Sequence, residues 1–363
     1  MTIKSLEIYR ASIPLTQTEP KQLWLEEWSN QLLVKVCTED ICGWGETLPA
    51  AGNTREPYID LVRRLKSVII GMDERRIREI HYEMRRATFT GGYGVVSGAI
   101  SSVDIALWDI LGRRSGLPIY SIFGGGNEVR RYVSLSRYKG PDVVKVIERL
   151  LEKGYKEIKL HQPPRETLEA VKEIRLKYGY NFELMVDLNC GFTFEESLNF
   201  INKVQRYELK WIEEPLWPPD DLEGLSKLNK LLPIAIGENL FSVFDFMRAV
   251  ELNSATFLQP DVTKIGGITP LLDVLTFLKL KDVSIALHNR PHNGWLGILV
   301  GSHVVAGLGL NSAIIETPPN EIPLEFFKSD VVIDANKITL GGEGLGIAPT
   351  NIPQNDDSRI LRF

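Results

Sequence analysis

Cysteine is scarce in this chain, charge of neither sign is in surplus, and low-complexity segments are missing. The 363 residues contain 3 cysteines, at positions 37, 42 and 190, with no spacing that suits zinc. Their apolar, strand-like contexts predict buried free thiols and a reducing, cytoplasmic setting. A formal charge of -5, from 42 basic and 47 acidic residues, excludes nucleic acid and anionic membrane as the main partner. No apolar run is expected to reach membrane-spanning length. The start, MTIKSLEIYRASIPL, alternates like a strand and lacks the apolar core of a targeting segment. With 44% hydrophobic and 25% charged residues the composition is that of an ordinary globular protein, and the length suits one large barrel plus a smaller domain.

What is present is a change of pattern along the chain. Residues 1 to about 48 read as an antiparallel meander, IKSLEIYRASI, NQLLVKVCT and ICGWGET, with a long polar loop after the first strand. From Pro57 the periodicity is helical, through YIDLVRRLKSVI, DERRIREIHYEMRRA and VSGAISSVDIALWDILGRRSG. The glycine-rich FGGGNE marks a boundary. Residues 1–125 are therefore expected to form an α+β capping domain and 126–316 a barrel, with 317–363 returning to complete the cap. Within the barrel, eight short apolar runs, VSLS, EIKLH, LMVDL, KWIEE, IAIGE, FLQPD, IALH and AIIE, alternate with amphipathic segments.

Six consecutive runs end in a polar residue: Asp187, Glu213, Glu238, Asp261, His288 and Glu316, spaced by 23 to 28 residues. A barrel brings the carboxyl ends of its strands to one face, so residues one strand-plus-helix apart in sequence meet in space. A doubly wound sheet would fit the alternation but would not recruit six successive strands. Asp187, Glu213 and Glu238 supply hard oxygen ligands of the kind that hold Mg²⁺. Glu214, beside Glu213, is the alternative ligand.

With GWGET at 43–47, the run AISSVDIALWDILGRRSGLPIYSIFGG at 99–125, and VDLN, WIEEPL, GENL, QPDVTKIGGIT and the strand-end His288 in order, the chain resembles the enolase superfamily and, within it, the mandelate racemase subgroup. The resemblance implies an α/β fold, a modified TIM barrel (β/α)7β with an α+β capping domain. It also implies Asp187, Glu213 and Glu238 as metal ligands, and abstraction of a proton α to a carboxylate to give a metal-stabilised enediolate. The negative charge that develops is what a divalent cation is suited to hold.

Asp261 and His288 fit a dyad in which the carboxylate fixes the imidazole tautomer and raises its basicity. The family's other subgroup places a lysine on the sixth strand, so Asp261 favours the mandelate racemase type. On the second strand, alternation puts Lys159 and His161 on the same side. The family pattern there is commonly Lys-x-Lys, from which this chain departs. Lys159 is expected to neutralise the substrate carboxylate. His161 is left as a second acid/base, a donor to a sugar hydroxyl or a spacer. Glu316 matches the family's acid that, protonated, hydrogen-bonds the substrate carboxylate.

Substrate contacts are expected from Asn189, Asn289, Arg290 and His292, and from Trp24 in the loop Leu15 to Ser29, which with Ala50 to Glu56 is implied to close over the barrel. Asn239, beside Glu238, is expected to orient ligands. The expected activity is a Mg²⁺-dependent acid sugar dehydratase acting on a small hydroxylated carboxylate. A racemase or epimerase using His161 as the base on the second face is the alternative, and a non-catalytic carboxylate-binding barrel a remote one. By the same resemblance the protein is a homo-oligomer, octamers included.

Overall fold

The structure is a computed structural model that describes residues 1–12, 30–47, 55–290, 294–319, 321–352 and 360–362. The N-terminal part is the expected meander: β1 (Ser5–Ser12), β2 (Asn30–Cys37) and β3 (Cys42–Thr47) pair antiparallel in order. Helices α1 (Arg55–Ile69), α2 (Ile77–Ala87) and α3 (Val95–Ser115) pack against it, and α4 (Ile119–Ile122) leads to the barrel. Arg55 and Glu56, expected in a loop, open α1 instead.

A Cβ on Gly45 would stand 1.8 Å from the Ser102 carbonyl oxygen, so β3 lies flush on α3 only because position 45 has none. Helix α3 is long and apolar enough to cross a membrane, against the expectation that no run reaches that length, yet 83% of its apolar window is buried inside the protein. It is the core helix of the N-terminal domain.

The thiol expectation needs a larger correction. Cys37 and Cys42 are register partners across the β2–β3 hairpin and form a disulfide. A turn closed by the Thr38 N–H donating to the Ile41 carbonyl at 2.9 Å brings them opposite each other, which their strand-like contexts did not reveal. Cys190 is free and half-buried. Two of the three cysteines are thus bonded to each other and do not point to a reducing compartment.

From β4 (Glu128–Ser134) strand and helix alternate: α5 (Gly140–Glu152), β5 (Glu157–Leu160), α6 (Pro164–Tyr178), β6 (Glu183–Asp187), α7 (Phe194–Val204), β7 (Leu209–Glu213) and α8 (Leu222–Asn229). The series continues through β8 (Ile234–Ile236), α9 (Val243–Glu251), β9 (Phe257–Leu258), α10 (Ile268–Leu280), β10 (Ser284–Leu287), α11 (Trp295–Gly307) and β11 (Ile314–Thr317). All eight strands are parallel, and β11 pairs with β4 to close the barrel. Seven helices lie between eight strands, which is the (β/α)7β arrangement.

Local chemistry starts the helices where the strand ends need them. Thr193 and Glu196 form a reciprocal capping box at α7, Ser242 and Asp245 do so at α9, and the Asp221 carboxylate caps α8. The barrel is filled by a layer of Tyr132, Met185, Trp211, Ala235, Ala286 and Ile314, with Phe257 against it. Charged side chains stand above this apolar floor.

The C-terminal segment divides its contacts. Strands β12 (Phe327–Ser329) and β15 (Ile347–Pro349) pair with each other, while β13 (Val332–Ile333) and β14 (Lys337–Thr339) form a hairpin whose β14 runs antiparallel along β4 of the barrel. VVIDANKITL, expected to return to the N-terminal domain, thus extends the barrel sheet. The return is made by Leu345, whose N–H donates to Asp109 of α3, and by β16 (Ile360–Arg362), which pairs with β1.

Candidate active site at the barrel mouth

Alternation along β5 puts Lys159 inside the barrel, fully buried. Its ammonium lies 2.6 Å from Glu213 Oε1, 2.8 Å from Glu316 Oε1 and 3.3 Å from Asp187 Oδ2. Burial alone would strip its proton, but Glu213 and Glu316 hold the pKa well above the ordinary lysine value. Lys159 is therefore a fixed cation.

Glu213, the last residue of β7, also accepts from Gln259 Nε2 at 2.6 Å and Trp211 Nε1 at 3.2 Å. Burial raises the pKa of both Asp187 and Glu213, with Lys159 opposing. Glu214 turns the other way. It accepts from Asn239 Nδ2 at 2.8 Å and Cys190 Sγ at 3.3 Å, and burial together with the nearby Glu238 pushes its pKa well up. Asn189, Cys190 and Glu214 have φ of 42°, 55° and 40°, left-handed values that non-glycine residues seldom adopt. Such conformations cluster at functional sites.

On the other side of the mouth, His288 follows β10 and Asp261 follows β9. His288 Nδ1 is 2.7 Å from Asp261 Oδ2, and its Nε2 is 2.9 Å from Glu238 Oε2. Asp261 is itself held, because its Oδ1 accepts from both the N–H and the hydroxyl of Thr263 at 2.7 Å. Burial works against a charged imidazole, yet Glu238 and Asp261 hold His288 well above the ordinary histidine value. Burial likewise opposes the Glu238 carboxylate, but His288 and Lys264 keep it well below the usual range. Lys264 Nζ is 3.2 Å from Glu238 Oε2.

His161 presents a contrast. Its Nε2 meets the Asn189 side-chain oxygen and lies 3.6 Å from Asp187 Oδ2. Burial and the Lys159 charge lower its pKa to about 4, so it is neutral at pH 7. Glu316 Oε1 forms an ion pair with the Lys159 ammonium at 2.8 Å, and its Oε2 accepts from the Tyr132 hydroxyl at 3.2 Å and from the Asn289 N–H at 3.3 Å. Asn289 and Arg290 continue from His288 and are both buried or nearly so, with Arg290 facing Asp261, Tyr58 and Glu46. Trp24 and His292 lie outside the described residues.

Among the described residues no three His, Cys, Asp or Glu side chains are gathered closely enough, as they stand, to hold a metal ion. The Lys159 ammonium lies between Asp187 and Glu213. The donor chemistry nevertheless fits a hard cation. Asp187, Glu213, Glu214, Asp261 and Glu316 are buried and Glu238 is 15% exposed, against the cations Lys159, Lys264 and His288. Tyr132 and Gln259 are site residues that the sequence reading passed over. Tyr132 was legible as the inward partner of Ser134 by alternation, and Gln259 stands two residues before Asp261.

A closed parallel barrel with an ammonium, a cluster of acids and an Asp–His pair at its mouth, beneath a separate N-terminal domain, defines a barrel of the enolase type. Residues 7–124 match the mandelate racemase/muconate lactonizing enzyme N-terminal domain, and residues 142–352 match the enolase C-terminal domain-like family. The chain belongs to the mandelate racemase/muconate lactonizing enzyme family of the enolase superfamily. It is 30% identical over 273 residues to a D-galactonate dehydratase of Ralstonia pickettii, covering 71% of each chain. It is also 30% identical over 301 residues to a 3,6-anhydro-alpha-L-galactonate cycloisomerase of Streptomyces coelicolor, covering 78% of this chain and 80% of that one. A racemase from Streptomyces coelicolor with bound magnesium superposes with a TM-score of 0.81 at 25% identity, covering 96% of this chain and 97% of that one. The relatives thus place the chain with acid sugar dehydratase-type members, beside isomerases and racemases.

Proposed function

We propose that the chain is a Mg²⁺-dependent acid sugar dehydratase, which removes the proton α to a carboxylate and expels the β-hydroxyl to give a 2-keto-3-deoxy acid. The observation that carries this reading is an asymmetry. One imidazole at the mouth, His288, has a carboxylate close to each nitrogen, Asp261 at 2.7 Å and Glu238 at 2.9 Å, whereas the other, His161, meets the Asn189 amide and has Asp187 farther off at 3.6 Å. A single strong acid/base suits an elimination, in which one group takes the α-proton and can return a proton to the departing hydroxide. A two-base racemisation needs comparable groups on both faces.

In this reading Asp187, Glu213 and Glu238 hold Mg²⁺, with Glu214 in contact with Asn239 behind them. The ion supplies Lewis-acid stabilisation of the charge that grows on the substrate carboxylate. Asp261 fixes the Nδ1 proton of His288, and Nε2, which pairs with Glu238 at 2.9 Å in the structure, would take the α-proton once released from that contact. The C–H electron pair forms the new double bond as the C3–O bond breaks, and the resulting enol tautomerises to the ketone. Lys159, a permanent cation in the barrel, offsets the developing negative charge, and Glu316 is oriented by Tyr132. Asn189, Asn289 and Arg290 lie where hydroxyls of a small hydroxylated carboxylate can be read, and Trp24 and His292 belong to the same reading. Residues 1–125, completed by Leu345 and β16 of the C-terminal segment, form the cap and 126–316 the barrel, whose sheet β13 and β14 extend, in a homo-oligomer.

The test is a screen of acid sugars with Mg²⁺ for 2-keto acid formation, repeated with His288→Asn. Formation of keto acid that depends on His288 is expected, and undiminished turnover in the variant sinks the assignment. Racemisation is read in the same experiment run in D₂O, where α-deuterium in both epimers without keto acid would favour the alternative.

A further inference from the structure

The end of β3 reaches from the N-terminal domain into the barrel at two points. Glu46, fully buried, accepts the Gly297 N–H at 2.8 Å through Oε2, in the first turn of α11. Thr47, next to it, donates its hydroxyl to the Thr263 carbonyl at 3.4 Å. These two contacts lead to the two members of the same pair. Thr263 holds Asp261 with its N–H and hydroxyl, and α11 is the element into which the chain passes after His288.

The packing is close at this junction. A Cβ on Gly297 would stand 2.6 Å from Thr263 Cγ2, with Glu46 Oε2 at 3.6 Å and Asn289 Oδ1 at 3.7 Å, so the first turn of α11, the Thr263 segment and the residue after His288 meet around one point. The flush packing of β3 on α3 fixes how far Glu46 can reach. We propose that Glu46 is a positioning residue that sets the Asp261–His288 pair from the N-terminal domain, with Thr47 completing the support on the Asp261 side.

The cost of placing a carboxylate there supports a role beyond packing. Burial raises the Glu46 pKa to about 7, opposed by Gln31, the Gly297 N–H and Arg290 and reinforced by Asp261. A buried group this expensive is simpler to replace with an amide or an apolar side chain unless its acceptor is needed.

Glu46→Leu removes the acceptor, Glu46→Gln keeps one, and Thr47→Val removes the second contact without placing bulk against α11. The readouts are amide hydrogen exchange in the first turn of α11 and the downfield N–H proton of the His288 imidazole, assigned by its loss in H288N. E46L is expected to speed that exchange by about tenfold or more and to broaden or shift the His288 proton. E46Q restores both toward wild type, and T47V shifts the His288 proton alone. A folded E46L with exchange within about twofold of wild type and an unmoved His288 proton overturns the proposal, as does an E46Q that loses both signals as fully as E46L. If E46L does not fold, Glu46→Asp, which withdraws the acceptor from Gly297 by one methylene, takes its place, and wild-type α11 exchange in E46D together with an unmoved His288 proton in both E46D and T47V overturns the proposal. Only the consequence for turnover rests on His288 being the acting base, and turnover in H288N tests that separately.

Discussion

The two histidines at the barrel mouth occupy similar places and are built differently. His161 leaves β5 and His288 leaves β10, both at strand ends, both next to an acid proposed to hold metal. His288 is backed by Asp261, which Thr263 locks with two hydrogen bonds, whereas His161 meets the Asn189 side chain, stands 3.6 Å from Asp187 and feels the nearby cation Lys159. A carboxylate behind an imidazole stabilises its protonated form, while burial and a neighbouring ammonium do the opposite. In the proposed reading, position at the mouth alone does not make a general base. The support behind the ring decides.

The sharpest way to break this contrast is His288→Asn. It keeps a polar group near Asp261 but cannot take a proton, and turnover of an acid sugar should fall by about 10³-fold, within the usual range for loss of a general acid or base. Asp261→Asn comes next. The ring stays tethered but loses the charge that favours its protonated form, so kcat should fall by about 10²-fold with KM little changed. A D261N enzyme as active as wild type would show that the dyad geometry has no part in the chemistry.

The sequence made this site legible because strand-end residues in a barrel need only the right phase. Asp187, Glu213, Asp261, His288 and Glu316 each close or follow a short apolar run, and the structure brings them to one mouth. The floor of the barrel was less visible. Tyr132 and Trp211 read as core aromatics, and only their polar tips, on Glu316 and Glu213, tie them to the site. Helix α11 escaped the periodicity argument altogether. Every residue from Trp295 to Gly307 is buried, so it has no polar face to mark a turn of helix. The disulfide was missed because a hairpin, not spacing along the chain, makes Cys37 and Cys42 neighbours. The Glu46 contact was hidden for the same reason, since 251 residues separate it from Gly297.

The smaller predictions concern the weaker side of the mouth. His161→Asn should cost about tenfold in kcat/KM, roughly 1.4 kcal/mol, if His161 contacts substrate without exchanging protons. Loss comparable to that of H288N, together with deuterium washed into both epimers in D₂O, would show that the two faces are equivalent and that the enzyme is a racemase. Below this lies Tyr132→Phe. It removes the hydroxyl that donates to Glu316 at 3.2 Å in a fully buried setting while leaving the ring against Trp211. Because the Lys159 ammonium still pairs with the same carboxylate and the Asn289 N–H still donates to it, the loss should be limited to about 1 kcal/mol of stability in denaturant unfolding. A loss of several kcal/mol would mean that Glu316 depends on the floor of the barrel far more than on the fixed cation beside it.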